Sequence, residues 1–247
     1  MKKIKELLKV LIYPVILLVA QYISILLFTL NFNLTNNYEI GSNEYIENLS
    51  VFFNNNGIWI AVLTFLMLIP LFKKKCKFNK LKTDIKNIIW LVLIGISFAV
   101  TYNLILWHLN FTDIFGTNNK LLITLITSGL IGPIMEELIF RNIVYEKLKG
   151  NYKRTFAVIL TGLLFGIFHG NIIQFIYVFL FNFIFIFVYE KYDSIYAPII
   201  VHMSANFGVQ LFLKFINYQN IYIGIFSLVI SVILFLISSE LTLNNKK

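Results

Sequence analysis

The sequence predicts an all-α, polytopic transmembrane helical bundle of about eight spans. Three observations carry this: an apolar composition, apolar runs of about 20 residues, and a one-sided distribution of Lys and Arg. Of 247 residues, 58% are hydrophobic and 13% charged, and the mean hydropathy is +0.78. Soluble domains are closer to half apolar and a quarter charged. So much apolar surface calls for lipid as the solvent.

Apolar runs place the spans at roughly 10–30, 52–72, 87–108, 121–147, 154–170, 172–189, 196–214 and 221–239. The first run is too long for a signal-peptide core and lacks a small-residue cleavage site, so it reads as a span. The turn His169-Gly170-Asn171 is very short, which predicts an antiparallel hairpin for spans five and six. The chain reads as one integral membrane domain over 1–247, with the functional core at about 121–214.

Lys and Arg set the orientation. The N-terminal Lys2, Lys3, Lys5 and Lys9, the seven lysines of loop 73–86, the basic loop after span four, Lys191 and the C-terminal Lys246 and Lys247 all fall on one side. That side is expected to be the cytoplasm, with both termini there. Eighteen basic residues lie on it and two, Lys120 and Lys214, on the other. The loops 31–50 and 109–119 carry Glu39, Glu44, Glu47 and Asp113 but no Lys or Arg. Such placement explains the net charge of +9 without a nucleic-acid partner; the partners expected are membrane lipid and a peptide or protein substrate. Loop 73–86 is read either as an amphipathic surface helix or as a solvated loop. Its Cys76 is the sole cysteine, which excludes an intrachain disulfide.

Charged groups inside a bilayer are expensive and mark function by default. Span four holds Glu136, Glu137 and Arg141; span five ends in His169; span seven holds His202 and Asn206. Glu137 and Arg141 are four residues apart and share a helix face, which predicts an ion pair that locks the helix. Glu136 points about 100° away and has no such partner, so it is free for proton transfer. Pro133 cannot donate to the carbonyl of Gly129, which predicts a kink one turn before Glu136. His202 and Asn206 share a face. Gly162, Gly166 and Gly170 form a small-residue stripe suited to close helix packing. His108 reads as an interfacial histidine, and the many Phe and Tyr as lipid-facing or belt residues.

A carboxylate, two imidazoles and an amide suit peptide hydrolysis. Glu136 and His169 can hold and deprotonate a water, while His202 and Asn206 can donate to the tetrahedral oxygen. No nucleophile elbow is present. Two alternatives stand beside this. Glu136, His169 and His202 are also a legitimate His₂Glu zinc set, and the cluster also fits a non-catalytic immunity or transport protein.

The three clusters resemble the CAAX protease and bacteriocin-processing (CPBP, or Abi) family of intramembrane glutamic endopeptidases. The family motif EExxxR is matched by Glu136, Glu137 and Arg141, FxxxH by Phe165 and His169, and HxxxN by His202 and Asn206. The resemblance covers about 70 residues and implies a bundle of about eight spans. It implies that Glu136 and His169 activate the water and that His202 and Asn206 form the oxyanion hole. Glu137, Arg141 and Phe165 would support the site, and no cofactor is implied. The Ile, Phe, Asn and Lys richness suits a low-GC Gram-positive bacterium, so a bacteriocin or quorum-sensing peptide precursor at the cell membrane is the expected substrate. Counting along the helices from the lysine-rich side predicts a site in the inner half of the bilayer, opening to the cytoplasm.

Overall fold

The computed structural model describes residues 2–109, 120–216 and 220–244, with no side-chain detail for residues 2–5, 213, 221, 243 and 244. Asp113, Lys246 and Lys247 lie outside the described residues. The architecture is helical throughout the described residues. We label the helices α1 (Lys2–Thr35), α2 (Asn43–Lys75), α3 (Ile85–His108), α4 (Leu121–Asn151), α5 (Arg154–Phe168), α6 (Ile172–Tyr192), α7 (Tyr196–Phe215) and α8 (Ile221–Asn244).

Six of these, all but α5 and α7, are long and apolar enough to cross a membrane. Helix α5 has 15 residues and rises only about 22 Å, short of a bilayer core of about 30 Å. Its last residues therefore finish inside the bundle. Helix α7 has 20 residues, enough for a crossing by length, but its Gln, Asn and His residues lower its hydropathy. The eight apolar runs thus correspond to eight helices, two of which owe their place to the protein around them rather than to lipid.

Helix α4 is the axis. It packs on α1, α2, α5, α6 and α7, and all eight residues from Leu138 to Tyr145 are buried. Elsewhere, pairs of helices close on small residues and hydroxyls. A Cβ at Gly95 of α3 would run into the Val201 carbonyl and Ser204 of α7, and one at Gly208 of α7 would press on Ile96. Ser24 of α1 accepts from Thr64 of α2 at 2.9 Å, and Thr101 of α3 donates to Ser231 of α8 at 3.0 Å.

The α5–α6 hairpin is as predicted, but its glycines do different jobs. Gly162 faces Phe179 and Asn182, and Gly166 faces the Phe175 ring, so both permit close packing. Gly170 instead has φ +65° with open space around it. It makes the turn that stops α5, and Asn171 then caps α6 by accepting from the backbone N–H of Ile173 and Gln174.

The lysine-rich connection is a largely exposed loop rather than a surface helix, and it is tied down at two points. Residues 76–84 form neither helix nor strand and are strapped across the bundle end. The Asn142 side chain accepts from Lys77 N–H at 3.0 Å and donates to Lys77 C=O at 2.7 Å. Ser194 donates to Asn79 C=O at 2.8 Å. This strap tucks Cys76 against the Leu138 carbonyl, and burial pushes its thiol up to about 12. Lysine neighbours alone would favour a thiolate; here burial prevails. At pH 8, Cys76 should react with iodoacetamide about a thousandfold more slowly in the folded protein than in detergent-denatured chain. Equal rates would show that the strap is not closed.

Candidate active site

The site is built around a defect in α4. The stretch Thr127–Ile131 is a π-turn, so the N–H of Gly132 bonds back to Thr127 C=O, five residues away. In that register the Ser128 carbonyl would take its proton from residue 133, which is proline and has none. Asn206 of α7 fills the gap, its Nδ2 donating to Ser128 C=O at 2.6 Å. The predicted kink is thus a widened turn, and its orphaned carbonyl fixes Asn206 in place. A second π-stretch, Leu138–Tyr145, follows the short α-helical piece Gly132–Glu137 that carries both glutamates.

Glu137 and Arg141 form the predicted pair, with Nη1 to Oε1 at 3.1 Å and both side chains fully buried. The guanidinium is sandwiched between Phe165 and Phe185, 4.4 and 4.5 Å from the two ring centroids. Its Nη2 donates to Asn182 Oδ1 at 3.2 Å, and Asn182 Nδ2 donates to Val158 C=O at 3.0 Å. Stacking and hydrogen bonding together make this buried ion sustainable. Phe165 and Phe185 are therefore core residues that clamp a cation: Phe165 sits beside the site as the motif implies, while Phe185 departs from the reading of the other aromatics as lipid-facing or belt residues.

Asn182 and Phe185 escape a search confined to ionisable groups. The rule that polar groups in spans are costly extends to Asn182, a lone amide in the apolar stretch 175–188.

His202 of α7 is held by the same glutamate: its Nδ1 lies 2.8 Å from Glu137 Oε1. A carboxylate paired with Arg141 only accepts, so Nδ1–H donates and Nε2 faces Glu136, 3.8 Å away. Phe185 stacks on the imidazole at 4.8 Å. His169, at the end of α5, sets its Nδ1 2.9 Å from Phe165 C=O. A carbonyl also only accepts, so here too Nε2 is the free nitrogen. Both rings thus have one tautomer imposed by a neighbour.

Glu136, His169, His202 and Asn206 all line one cavity of about 770 Å³. Four residues from three helices thus meet in one cavity. Among the described residues, no three His, Cys, Asp or Glu side chains are grouped closely enough to share a metal ion.

The cavity extends away from the lysine-rich strap. The cavity is also lined by Gln21, Ile25, Phe53, Gly57, Asn103 and Gln174. These lie in the portions of their helices remote from the lysine-rich strap. The physical reason is packing: on the strap side of Glu136, α4 is buried at every position from Leu138 to Tyr145 and leaves no room, whereas in Thr127–Ile131 on the other side only Gly129 is buried.

Comparison with known proteins bears on this segment. Residues 118–208 match the family model described as Type II CAAX prenyl endopeptidase Rce1-like. The central segment is Rce1-like. It contains all three motifs, so the resemblance to the CAAX protease and bacteriocin-processing family stands. Over 82 residues the chain is 32% identical to the Bacillus subtilis (strain 168) protein "Putative membrane peptidase YdiL"; the match covers 33% of this chain and 34% of that one. The chain thus spans about a third of the length of the curated relative it matches. No solved structure matches the chain. The matched segment carries α4 to α6 and most of α7, with Glu136, Glu137, Arg141, His169, Asn182, His202 and Asn206, while α1, α2 and α3 contribute cavity wall.

Proposed function

We propose that the chain is an intramembrane endopeptidase that hydrolyses a membrane-associated peptide with Glu136 as general base and acid. The observation that supports this best is the convergence of Glu136, His169, His202 and Asn206 on one cavity inside an Rce1-like segment. A water between Glu136 and His169 Nε2 gives its proton to the carboxylate as its oxygen attacks the peptide carbonyl. The same proton then passes to the leaving nitrogen, so one water is consumed and a carboxylic acid and an amine are released. The oxyanion is met by the second N–H of Asn206, the first being engaged by Ser128. His202 Nε2 accepts from a water when the ring is neutral and donates to the oxyanion when the ring is doubly protonated.

The substrate we favour is a short membrane-bound precursor such as a bacteriocin or signalling peptide. Comparing membrane and secreted peptides of the host with and without Glu136→Ala tests this. A precursor should accumulate and its product vanish; an unchanged peptide profile counts against the enzyme.

With the lysine-rich strap at the cytoplasmic face, the cavity is entered from the outer half of the bilayer. Phe53→Cys should then react with an impermeant maleimide added to intact cells, and Lys80→Cys only after permeabilisation. The reverse pattern would place the entrance inside.

A further inference from the structure

Hydrolysis within a bilayer requires an extended substrate, because a helix hides its amides from attack. Extending the chain strips backbone N–H and C=O groups of their partners, at a cost of several kcal/mol per group in lipid. A site that cuts there must replace those bonds. The cavity offers three side chains suited to that task. Gln21 of α1, Gln174 of α6 and Gln210 of α7 all line it and are half-buried, yet among the described residues none of their carboxamides has a hydrogen-bond partner. In contrast, the amides of Asn103, Asn142, Asn182 and Asn206 are all bonded within the protein. Three unpartnered carboxamides from three helices, aimed into one cavity, point to a ligand that uses both donor and acceptor. A carboxamide offers one of each, as does every residue of an extended peptide.

The charge of the lining sharpens the ligand class. Among the described residues that line it, Glu136 is the only carboxylate and none is Lys or Arg. Arg141 lies behind Glu137, fully buried. A carboxylate in the bound segment, whether a side chain or a free chain end, would meet no Lys or Arg among the described lining residues and would be repelled by ionised Glu136. We propose that Gln21, Gln174 and Gln210 grip the backbone of an extended, uncharged peptide segment, and that cleavage is internal to the substrate chain rather than next to a free C-terminal carboxylate. This rests on the endopeptidase reading and assigns its substrate class.

Binding to the Glu136→Gln protein in lipid nanodiscs separates recognition from catalysis. The probe is a 12-residue peptide of alternating Leu and Ser, acetylated, amidated and carrying an uncharged fluorophore. Gln21→Leu, Gln174→Leu and Gln210→Leu should each weaken its binding about fivefold, the effect of one neutral hydrogen bond, and the triple variant at least fiftyfold. Placing one Asp at the centre of the probe, or shortening it to end there in a free carboxylate, should weaken binding at least tenfold. Because the glutamine side chains bond to none of the described residues, thermal unfolding of the single variants should match the parent. The proposal is overturned if the probe does not bind, if the triple variant binds within twofold of the parent, or if the Asp probe binds equally well. Retained cleavage by Glu136→Gln would instead sink the catalytic reading and leave this binding result standing.

Discussion

Glu136→Gln should reduce peptide-bond cleavage about ten-thousandfold while leaving the fold intact. Gln keeps the shape and the hydrogen-bonding oxygen but can neither take the proton of the attacking water nor return it to the leaving nitrogen. Loss of a positioned acid–base group costs roughly 10²–10⁴ in rate, and here one residue serves both steps. Stability should barely change. Glu136 makes no close ion pair: its nearest basic neighbour, His202 Nε2, is 3.8 Å away, and the side chain opens onto the cavity. Replacing an ion in such a place by a neutral amide removes a desolvation cost rather than a partner. Glu136→Asp is the sharper variant. It keeps the carboxylate but withdraws it by about one bond length, and a misplacement of about 1 Å can cost a hundredfold. Single-turnover cleavage by purified protein in nanodiscs, with thermal unfolding measured alongside, checks both. A Gln variant with a tenth or more of wild-type activity rules out Glu136 as the base.

Much of this site was legible from cost alone. In an apolar chain the few ionisable groups inside spans stand out, and Glu136, His169 and His202 were found that way. The pairing of Glu137 with Arg141 followed from a spacing of four. What the sequence could not supply was depth. Counting 1.5 Å per residue assumes ideal helices that start level, and α4 contains two π-stretches while α5 stops short at about 22 Å. Nor does a linear rule reveal which half of a bundle is solid. That depended on the Phe165–Arg141–Phe185 stack and on Asn182, which fill the space towards the strap. The lysine-rich connection was legible in part: its lysines say where water is and the solvated-loop reading holds, but its attachment is set by Asn142 and Ser194, which are far away in sequence.

The π-turn shows how one sequence feature reaches two parts of the site. Pro133 removes a donor, the Ser128 carbonyl is left open, and Asn206 is drawn to it. Asn206 is thereby anchored through one N–H and free with the other. The anchor belongs to helix geometry and the free proton to chemistry, and the same residue supplies both.

The Glu137–Arg141 pair allows stability and activity to be separated. Arg141→Met should destabilise the protein by about 3–5 kcal/mol, because it leaves a fully buried carboxylate without its cation. His202 would remain beside Glu137, but Asn182 would also lose its partner. Removing both charges, as in Glu137→Leu with Arg141→Met, should restore most of that loss, since buried ion pairs replaced by apolar groups of similar volume are often near neutral. Activity should not return. Glu137 is what fixes the His202 tautomer, through Nδ1 at 2.8 Å, and without an acceptor there the ring no longer presents a defined Nε2 to the cavity. Loss of an orienting carboxylate of this type costs at least about a hundredfold. Glu137→Gln retains an acceptor oxygen for Nδ1–H and should fall between the double variant and wild type. A double variant that is both stable and fully active would reduce Glu137 to a helix lock and remove His202 from any role that depends on its tautomer. One that is stable and inactive would show that this buried pair exists to aim a histidine.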